Sequence, residues 1–319
     1  MLNRRQMLGG ALIASAAIGR PAAAQIGRLT VASTQQGNWD TSVAELAQRA
    51  GIFKKHALDV NVIWSYGGGE TLQAVLSGSA DVGTAIGVMA VLGAFSKGAP
   101  VRIIGNEQTG AADLFWYVRT DSPIRSLADI NGKTIAYSAN GSSSHSVVME
   151  LTKTGILKAT PVATGGAAAT LTQVLSGQIA VGWSAPPFGL AQLDRKEIRI
   201  LLTGDDARGV KERTSRVNIA NLPALLAKRN QIERFASAYR ETIDWMYESD
   251  DALKIYAEFA HISIDDARRI RKQFFPKSVL DPDVIHGIDQ LIEDAVSQKY
   301  ITAALDAGQI RQLIQIPPR

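Results

Sequence analysis

The sequence predicts an α/β fold in which two similar lobes face each other across a central cleft. The first observation is an internal repeat, in which TLQAVLSGSADVGTA at 71–85 is matched by TLTQVLSGQIAVGWS at 170–184. The second is that strand-like and helical segments alternate, a pattern typical of largely parallel sheets covered by helices. The third is that the pattern is helical only from Asn221 onward. We assign this C-terminal helical segment to the first lobe.

Each copy of the repeat predicts a helix followed by a short strand. In the first copy Leu72 and Val75 recur at helical spacing, and Gly78 stands where a helix end favours a left-handed residue. The second copy repeats this order, with Gly177 in the place of Gly78. Only two copies are present, which favours two related lobes over a solenoid.

The remaining elements follow from hydrophobic periodicity and from residues that favour helix ends. Short buried strands are predicted at 29–33, 60–64, 101–105, 114–118, 134–137 and 198–202. An amphipathic helix begins near Asp40, with Ser42 and Glu45 at capping-box spacing and Gly51 as its stop. The C-terminal segment predicts helices at 232–247, 251–259, 265–274 and 283–299, and a turn near 309–314.

Composition excludes several classes of function. The 319 residues include no cysteine, which rules out disulfide scaffolds, cysteine-ligated metal centres and a thiolate nucleophile. Without the three arginines of residues 1–24, 31 basic residues stand against 30 acidic ones. Such a near-neutral chain has no electrostatic footprint for nucleic acid. The four histidines show no metal-binding spacing, and we expect neither a metal nor a cofactor.

Residues 1–24 predict a cleaved export signal. Arg4 and Arg5 precede a small apolar run at 9–19, which Pro21 ends, and three alanines at 22–24 form a cleavage site. The run is shorter than the ~20 residues of a membrane span. Both twin-arginine and general secretory export are open. We therefore expect the mature chain in the periplasm, with membrane contact only through a partner.

A longer stretch of sequence carries a family resemblance. The residues are SPIRSLADINGKTIAY at 122–137, GSSSH at 141–145, YAEF at 256–259 and LDP at 280–282. They resemble the solute-binding proteins of ABC transporters, in the nitrate/sulfonate/taurine branch. The resemblance implies a type II periplasmic binding fold, in which two α/β lobes joined by two crossing strands close on a small ligand. It also implies delivery of that ligand to the permease subunits of the transporter.

These expectations define the domain organisation. Residues 26–115 and 221–319 are expected to form the first lobe, and residues 120–215 the second. Hinge strands are expected near 116–119 and 216–220. We expect a monomer that closes around its ligand by hinge motion.

The tract Gly141–His145 is the main candidate for ligand contact. The resemblance implies that it opens a helix whose N-terminus faces an anionic group of the ligand. The residues support this, since Gly141 permits close approach, Ser142, Ser143 and Ser144 offer hydroxyls, and a first helical turn has free N–H groups. A role as helix N-cap alone is the alternative for the serines. His145 either donates to the ligand or is an ordinary first-turn histidine.

The loops after the predicted strands supply the other candidates. These ligand-binding candidates are Gln35, Asn38, Trp39, Gly68, Ile86, Gly87, Trp116, Trp183 and Ser184. Trp39 stands in a polar loop and either stacks on a ligand or packs against its lobe, and Trp116 is either structural or reaches the cleft with its edge. The loop at 183–188 lacks the acid that sulfonate binders of this branch carry. The loop at 84–89 is also more apolar than its counterpart in that family. Both departures disfavour an amine-bearing ligand and favour an anion with an apolar or aromatic body, and a sulfonate, nitrate, bicarbonate or aromatic acid are all open as the ligand.

Two other functions are open at this stage. A pyrimidine-synthase-like branch of the same fold is enzymatic, but it is associated with a cysteine-rich motif that this chain lacks. The chain has no nucleophile elbow, and its paired carboxylates are adjacent in sequence, where neighbours do not face one another. No catalytic residue is therefore predicted. A ligand-sensing module is the other alternative.

Overall fold

A computed structural model describes residues 26–319 and shows two α/β lobes. The export signal predicted at 1–24 lies outside the described residues. The strands are β1 (Gly27–Thr34), β2 (Leu58–Ser65), β3 (Val82–Gly87), β4 (Val101–Thr109), β5 (Phe115–Arg119), β6 (Thr134–Tyr137), β7 (Thr160–Ala163), β8 (Gly182–Ser184), β9 (Ile198–Thr203) and β10 (Thr214–Asn221). The helices of the repeat-containing part are α1 (Val43–Arg49), α2 (Ile52–Lys55), α3 (Gly68–Leu76), α4 (Val88–Ser96), α5 (Ser143–Lys153), α6 (Ala167–Leu175) and α7 (Leu190–Asp194). The C-terminal helices are α8 (Leu222–Ala227), α9 (Arg229–Glu248), α10 (Asp250–Ala260), α11 (Ile264–Gln273), α12 (Ile288–Ser297) and α13 (Ala307–Leu313).

The two lobes contain sheets of the same topology. The first sheet has the order β2-β1-β3-β10-β4, in which β10 runs antiparallel to both of its neighbours. In the second lobe, β8-β5-β9 and β6-β7 are joined by a parallel bridge between Ile135 and Val181, next to β8. The resulting order β7-β6-β8-β5-β9 also has one antiparallel strand, β5, in the fourth position. The prediction of two related lobes is confirmed.

The sequence repeat occupies equivalent places in these lobes. The first copy forms α3 and β3, and the second forms α6 and β8. Thr71 of α3 contacts the Ser65 hydroxyl at 2.6 Å, and Thr170 of α6 contacts the Thr164 hydroxyl at 2.7 Å. Both helices end at a residue in the left-handed region, with φ of 77° at Gly78 and 79° at Gly177. The shared residues thus form the same local structure twice.

Most predicted elements are confirmed, and two details are wrong. The six strands predicted from periodicity each overlap an observed strand, and β6 matches at both ends. The capping box at Ser42 is wrong, because the Ser42 hydroxyl donates to the Asn38 carbonyl and makes no cap hydrogen bond. The helix predicted at 283–299 begins only at Ile288, because residues 284–287 are irregular and Gly287, directly before it, has a left-handed φ of 69°.

The C-terminal helices pack on the first lobe. Helices α9, α10 and α11 share one hydrophobic cluster with β1 and α1, and α12 and α13 share another with α4 and β4. The second lobe has a separate cluster of its own. The first lobe is therefore covered by helices that lie far from it along the chain.

The chain crosses between the lobes at 110–114 and at 204–213, which connect β4 to β5 and β9 to β10. The segments expected as hinge strands, near 116–119 and 216–220, lie next to these crossings within β5 and β10. Residues 115–119 form β5, which is paired on both sides within the second sheet, and residues 214–221 form β10, which is paired on both sides within the first. The lobe boundaries for hinge motion stay a prediction, and we expect that motion at the two crossings.

The left-handed glycine that ends α3 gives a test of this local geometry. We expect Gly78→Ala to lower the free energy of unfolding by about 1 kcal/mol, because a Cβ is disfavoured at positive φ. The matched control is Gly69→Ala inside the same helix, where φ is not positive and a Cβ meets no atom within 4 Å. Urea unfolding should show Gly69→Ala at least as stable as the wild type. Equal stabilities of the two variants would contradict the assignment.

Candidate ligand-binding site

A cavity of about 50 Å³ lies between the two lobes. We call it the cleft cavity. The first lobe lines it with Thr34, Gln35, Asn38, Asp40, Thr41, Gly67, Gly68, Ala85, Gly87 and Arg216, and the other side is lined by Leu114, Ser138, Ser142, Ser143, Ser144, Trp183 and Ala185. Many of these residues lie at or just after the carboxyl ends of β1, β3, β6 and β8. This is where open α/β sheets bind ligands.

The loop after β1 brings Asn38 and Asp40 to the cleft cavity. The Thr41 hydroxyl donates to the Gln35 carbonyl at 2.9 Å, which closes the loop on itself. The Tyr256 hydroxyl of α10 donates to the Gly37 carbonyl at 2.9 Å. The C-terminal helices therefore hold this loop in one conformation.

Trp39 does not reach the cleft cavity, which corrects its place among the candidates. Its ring is fully buried in the first lobe and packs edge-on against Tyr256, with centroids 4.8 Å apart. Its indole N–H donates to the Tyr247 hydroxyl at 3.1 Å. A large ring in a polar loop is buried here because helices from the C-terminal segment cover it.

The serine tract forms the start of α5 at the cleft cavity. Ser142 is the N-cap, and its hydroxyl accepts from the His145 backbone N–H at 3.1 Å. The Ser143 hydroxyl accepts from Arg216 at 3.3 Å, and that of Ser144 accepts from the Ser138 backbone N–H at 2.9 Å. The serine tract therefore both caps α5 and lines the cavity, so the two alternatives are compatible. The first N–H groups of α5 have no acceptor within the helix. Contact of these serines with a ligand stays a prediction.

Gly87 and Gly141 bring the two lobes into close contact. A Cβ on Gly87 would lie 2.1 Å from the Gly141 carbonyl oxygen. Gly141 also approaches Ala90, but it does not line the cleft cavity, whereas Gly87 does. The predicted close approach is therefore between two backbones, one from each lobe.

His145 also lies outside the cleft cavity. Its ring stacks on Tyr137 with centroids 4.3 Å apart, and its Nδ1 contacts the Tyr300 hydroxyl. Tyr300 accepts from the Gly141 backbone N–H at 2.8 Å. Burial lowers the pKa of His145 to about 4, so the ring is neutral at neutral pH. It joins the second lobe to the segment after α12.

Of four further candidates, three do not line the cleft cavity and one does. Trp116 is fully buried in the second lobe, where its indole N–H donates to the Ala136 carbonyl at 2.8 Å. Ile86 is fully buried in the first lobe, and the Ser184 hydroxyl donates to the Phe188 carbonyl at 2.8 Å. These three do not line the cleft cavity, because they point into hydrophobic clusters or back to their own loop. Trp183 does line it.

A buried network around Arg216 was missed by the sequence analysis. Its guanidinium donates to Asp113 at 2.9 Å and to Glu107 at 3.1 Å, contacts Gln108, and lies 3.5 Å from Asp40. We call Arg216 and its three carboxylates the Arg216 network. The sequence carried no clear signal for it, because the stretch TSRVNIAN at 214–221 is mostly polar, although the structure buries all eight of its residues as β10.

Burial dominates the electrostatics of this network. Desolvation, the neighbouring Asp40 charge and a hydrogen bond to Asp40 raise the pKa of Glu107 well above its usual range. Desolvation also raises the pKa of Asp113, against the opposing effect of Arg216. Desolvation acts to lower the pKa of Arg216, but the three carboxylates outweigh it and raise that pKa. Arg216 is therefore charged, and Glu107 is the network member that holds a proton most readily.

Two buried polar atoms of residues that line the cleft cavity have no hydrogen-bond partner within the described part of the protein, namely the Asn38 side-chain oxygen and the Trp183 indole N–H. The Asp40 carboxylate, whose residue also lines the cavity, lies 3.5 Å from Arg216 and shares a hydrogen bond with Glu107. Buried polar groups are normally hydrogen-bonded, so the two unpartnered atoms are suited to a bound molecule. As for metals, residues 26–319 contain no group of three or more His, Cys, Asp or Glu placed to hold one.

A comparison with known proteins identifies the family of the chain. The sequence profile described as NMT1/THI5 like matches residues 41–252, more than half of the chain. The chain belongs to the NMT1/THI5-like family. A search of curated proteins found no match.

Solved structures show the same fold at low sequence identity. The alkanesulfonate-binding protein SsuA from Xanthomonas axonopodis pv. citri, bound to MOPS, is 19% identical, with a TM-score of 0.75 over 92% of this chain and 100% of that chain. The periplasmic nitrate-binding protein NrtA from Synechocystis PCC 6803 is 12% identical, with a TM-score of 0.70 over 91% of this chain and 86% of that chain. The desulfurization enzyme DSZB is 16% identical, with a TM-score of 0.64 over 89% and 95%. The expected periplasmic binding fold is confirmed.

The contact between Gly87 and Gly141 predicts a block to closure. We expect Gly87→Ala to keep the lobes apart, because its Cβ would overlap the Gly141 carbonyl. The chain has no cysteine, so spin labels at Ser79→Cys and Lys158→Cys, one exposed site per lobe, report the distance between lobes. The distance distribution should lose its short component in Gly87→Ala and keep it in Gly69→Ala. An unchanged distribution would show that this contact does not limit closure.

The raised pKa of Glu107 predicts a pH-dependent stability. Because the folded pKa lies above the ordinary value of 4.5, this group contributes stability at low pH that is lost as the pH rises through the folded pKa. Glu107→Gln mimics the protonated side chain, so its free energy of unfolding relative to the wild type should rise as the pH increases from about 4.5 into the neutral range and above. Urea unfolding across this range measures the difference. Glu233→Gln, on an exposed part of α9, is the control, and parallel curves for Glu107→Gln and wild type would contradict the prediction.

Proposed function

We propose that the protein is an extracytoplasmic solute-binding protein that closes on a small ligand carrying an anionic group and delivers it to an ABC transporter permease. The observation that carries the proposal is the cleft cavity between the lobes, which Ser142, Ser143 and Ser144 at the start of α5 line from one side. A helix N-terminus favours an anion through its free N–H groups and its dipole. The unpartnered Trp183 N–H on the same side adds a donor.

The size of the cavity limits the ligand. About 50 Å³ holds only a few water-sized groups, which supports a small ion or short-chain molecule. Trp39, the ring that could stack on an aromatic ligand, is buried in the first lobe, and Trp116 is buried in the second. Among the ligands considered, a small sulfonate, nitrate or bicarbonate is therefore favoured over an aromatic acid.

The location and partners follow from the same proposal. Relatives with this fold include proteins named as periplasmic, and residues 1–24 have the composition of an export signal. None of the helices within residues 26–319 has the length and apolar character that crossing a membrane requires. We propose a periplasmic monomer that meets the membrane through its permease.

An enzymatic role is the alternative, since DSZB shares the fold. The serines of the cleft cavity would need an adjacent base to act as nucleophiles. The nearest histidine, His145, instead contacts Tyr300 through Nδ1 and lies outside the cavity. Glu107, with its raised pKa, does not line the cavity either. These placements support binding over turnover.

A thermal-shift screen against small anions and aromatic acids tests the proposed function. A ligand at 100 times its Kd stabilises the folded state by about 2.7 kcal/mol, which raises Tm by several degrees. We expect a hit among the small anions, stoichiometric binding in calorimetry, and no change in the ligand after incubation. Conversion of the ligand to a product would contradict a pure binding role.

The serine at the start of α5 offers a matched test of the site. Ser143→Val should abolish the thermal shift, because it removes a hydroxyl and adds bulk to the cavity wall. Ser146→Val, one turn further along the same helix and outside the cavity, should retain the shift. Loss of binding in both variants, or in neither, would place the ligand elsewhere.

A further inference from the structure

We propose that binding of an anion in the cleft cavity is coupled to the uptake of one proton by the carboxyl groups of Asp40 and Glu107, which we call the acid pair. This inference rests on the proposed function and adds to it a titratable unit that sets how ligand affinity depends on pH. The acid pair acts through Arg216, with which both of its members are already engaged, and not as a direct ligand contact.

The first step is the surroundings of the acid pair, which lack hydrogen-bond donors. The Asp40 side chain is 1% exposed and that of Glu107 is 0% exposed. Within residues 26–319, no N–H or hydroxyl group donates to Glu107 Oε1 or to either carboxylate oxygen of Asp40. The two carboxyl groups instead hydrogen-bond to each other, and such a bond requires that one of them holds a proton. The acid pair is therefore suited to keep a proton that two separate carboxylates would lose.

The second step is the excess of negative charge around Arg216. One guanidinium stands against the carboxyl groups of Asp40, Glu107 and Asp113, so the net charge is −2 when all three are ionised and −1 when the acid pair holds a proton. Uncompensated charge is costly in a buried site. In agreement, desolvation and the charge of Asp40 raise the pKa of Glu107 well above its usual range. A further negative charge brought into this site therefore favours protonation.

The third step is the connection between the acid pair and the ligand. Arg216 and Asp40 both line the cleft cavity. The Arg216 guanidinium donates to the Ser143 hydroxyl at 3.3 Å, at the start of α5, where the anion is proposed to bind. An anion there would share this guanidinium with the carboxyl groups, and a nearby negative charge raises the pKa of a carboxyl group. By reciprocity, a proton on the acid pair strengthens binding of the anion.

The other titratable groups around the acid pair do not compete for this proton. Tyr239 and Tyr247 of α9 and Tyr256 of α10 face it from the C-terminal helices. Burial raises the pKa of all three, so they are already protonated throughout the range below about pH 9. Asp113 accepts a hydrogen bond at each of its oxygens, and these bonds favour its ionised form.

Proton counting on the purified protein tests the inference. Nitrate and ethanesulfonate are the probes, because neither takes up a proton near neutral pH, so any proton consumed is bound by the protein. Saturation of weakly buffered protein in a pH-stat should consume up to about one proton per bound anion at alkaline pH, and less as the pH falls. Over the same range the calorimetric Kd should rise with pH by up to about tenfold per pH unit.

A matched pair of variants assigns the proton. Glu107→Gln keeps a neutral side chain of the same shape, so it should bind the probe with little proton uptake and with a Kd that does not change with pH. Glu233→Gln, on an exposed part of α9, should retain both the uptake and the pH dependence. If Glu107→Gln does not fold, infrared difference spectra of the wild type decide. They should show a carboxylic acid band gained on binding, and its absence would overturn the inference.

The outcomes distinguish this inference from the proposed function. Binding of a probe with no proton uptake and with a constant Kd would overturn the coupling and leave the proposed function standing. Uptake that survives in Glu107→Gln would place the proton on another group and would also overturn it. No binding of either probe at any pH would count against the proposed function, and with it against this inference.

Discussion

The buried Arg216 network is the interaction on which the arrangement of the two lobes depends. Arg216 belongs to β10 of the first sheet, Glu107 to the adjacent β4, and Asp113 to the crossing that leads into the second lobe. The same guanidinium donates to Ser143, the first residue of α5. One charged group thus holds a sheet, a crossing and the wall of the cleft cavity together. Loss of one partner from such a buried set leaves uncompensated charge at a cost of about 3–5 kcal/mol, whereas the intact set is nearly neutral in stability. The network therefore specifies geometry more than it adds stability.

The C-terminal helices have a similar positioning effect on the first lobe. Tyr256 of α10 holds the Gly37 carbonyl, and Tyr247 of α9 holds the Trp39 indole. These contacts fix the loop that carries Asn38 and Asp40, so the acceptors of the cavity wall are oriented before a ligand arrives. Pre-orientation of this kind reduces the entropy that binding would otherwise cost. It also explains why a segment that contributes no residue to the cavity is packed so closely behind it.

The parts of this structure that were predictable from sequence are those with local signals. The repeat at 71–85 and 170–184 predicted two lobes, and periodicity predicted six strands and most helices, because burial on one face leaves a regular pattern along the chain. The serine tract was found because glycine and helix-start signals are adjacent in sequence. Trp39 was misplaced because its partner Tyr247 lies 208 residues away, and no local pattern reports such a contact. Arg216 and Glu107 were missed for the same reason. Their function arises from tertiary neighbours, and in sequence they are two ordinary charged residues.

The free energy of the proposed closure depends on whether a ligand makes hydrogen bonds with the unpartnered polar atoms of the cavity. In the proposed open state, water would reach the Asn38 oxygen on one wall and the Trp183 N–H on the other. Closing the lobes without a ligand removes that water and leaves acceptors and donors buried on opposite walls, which opposes closure. A molecule that satisfies only one wall recovers part of this penalty, and a molecule that satisfies both recovers most of it. A ligand shifts a two-state equilibrium only by its differential affinity for the two states. In the proposed closure, the polarity of the walls would therefore select which molecules close the protein, and the close approach of the Gly87 and Gly141 backbones would define the closed state.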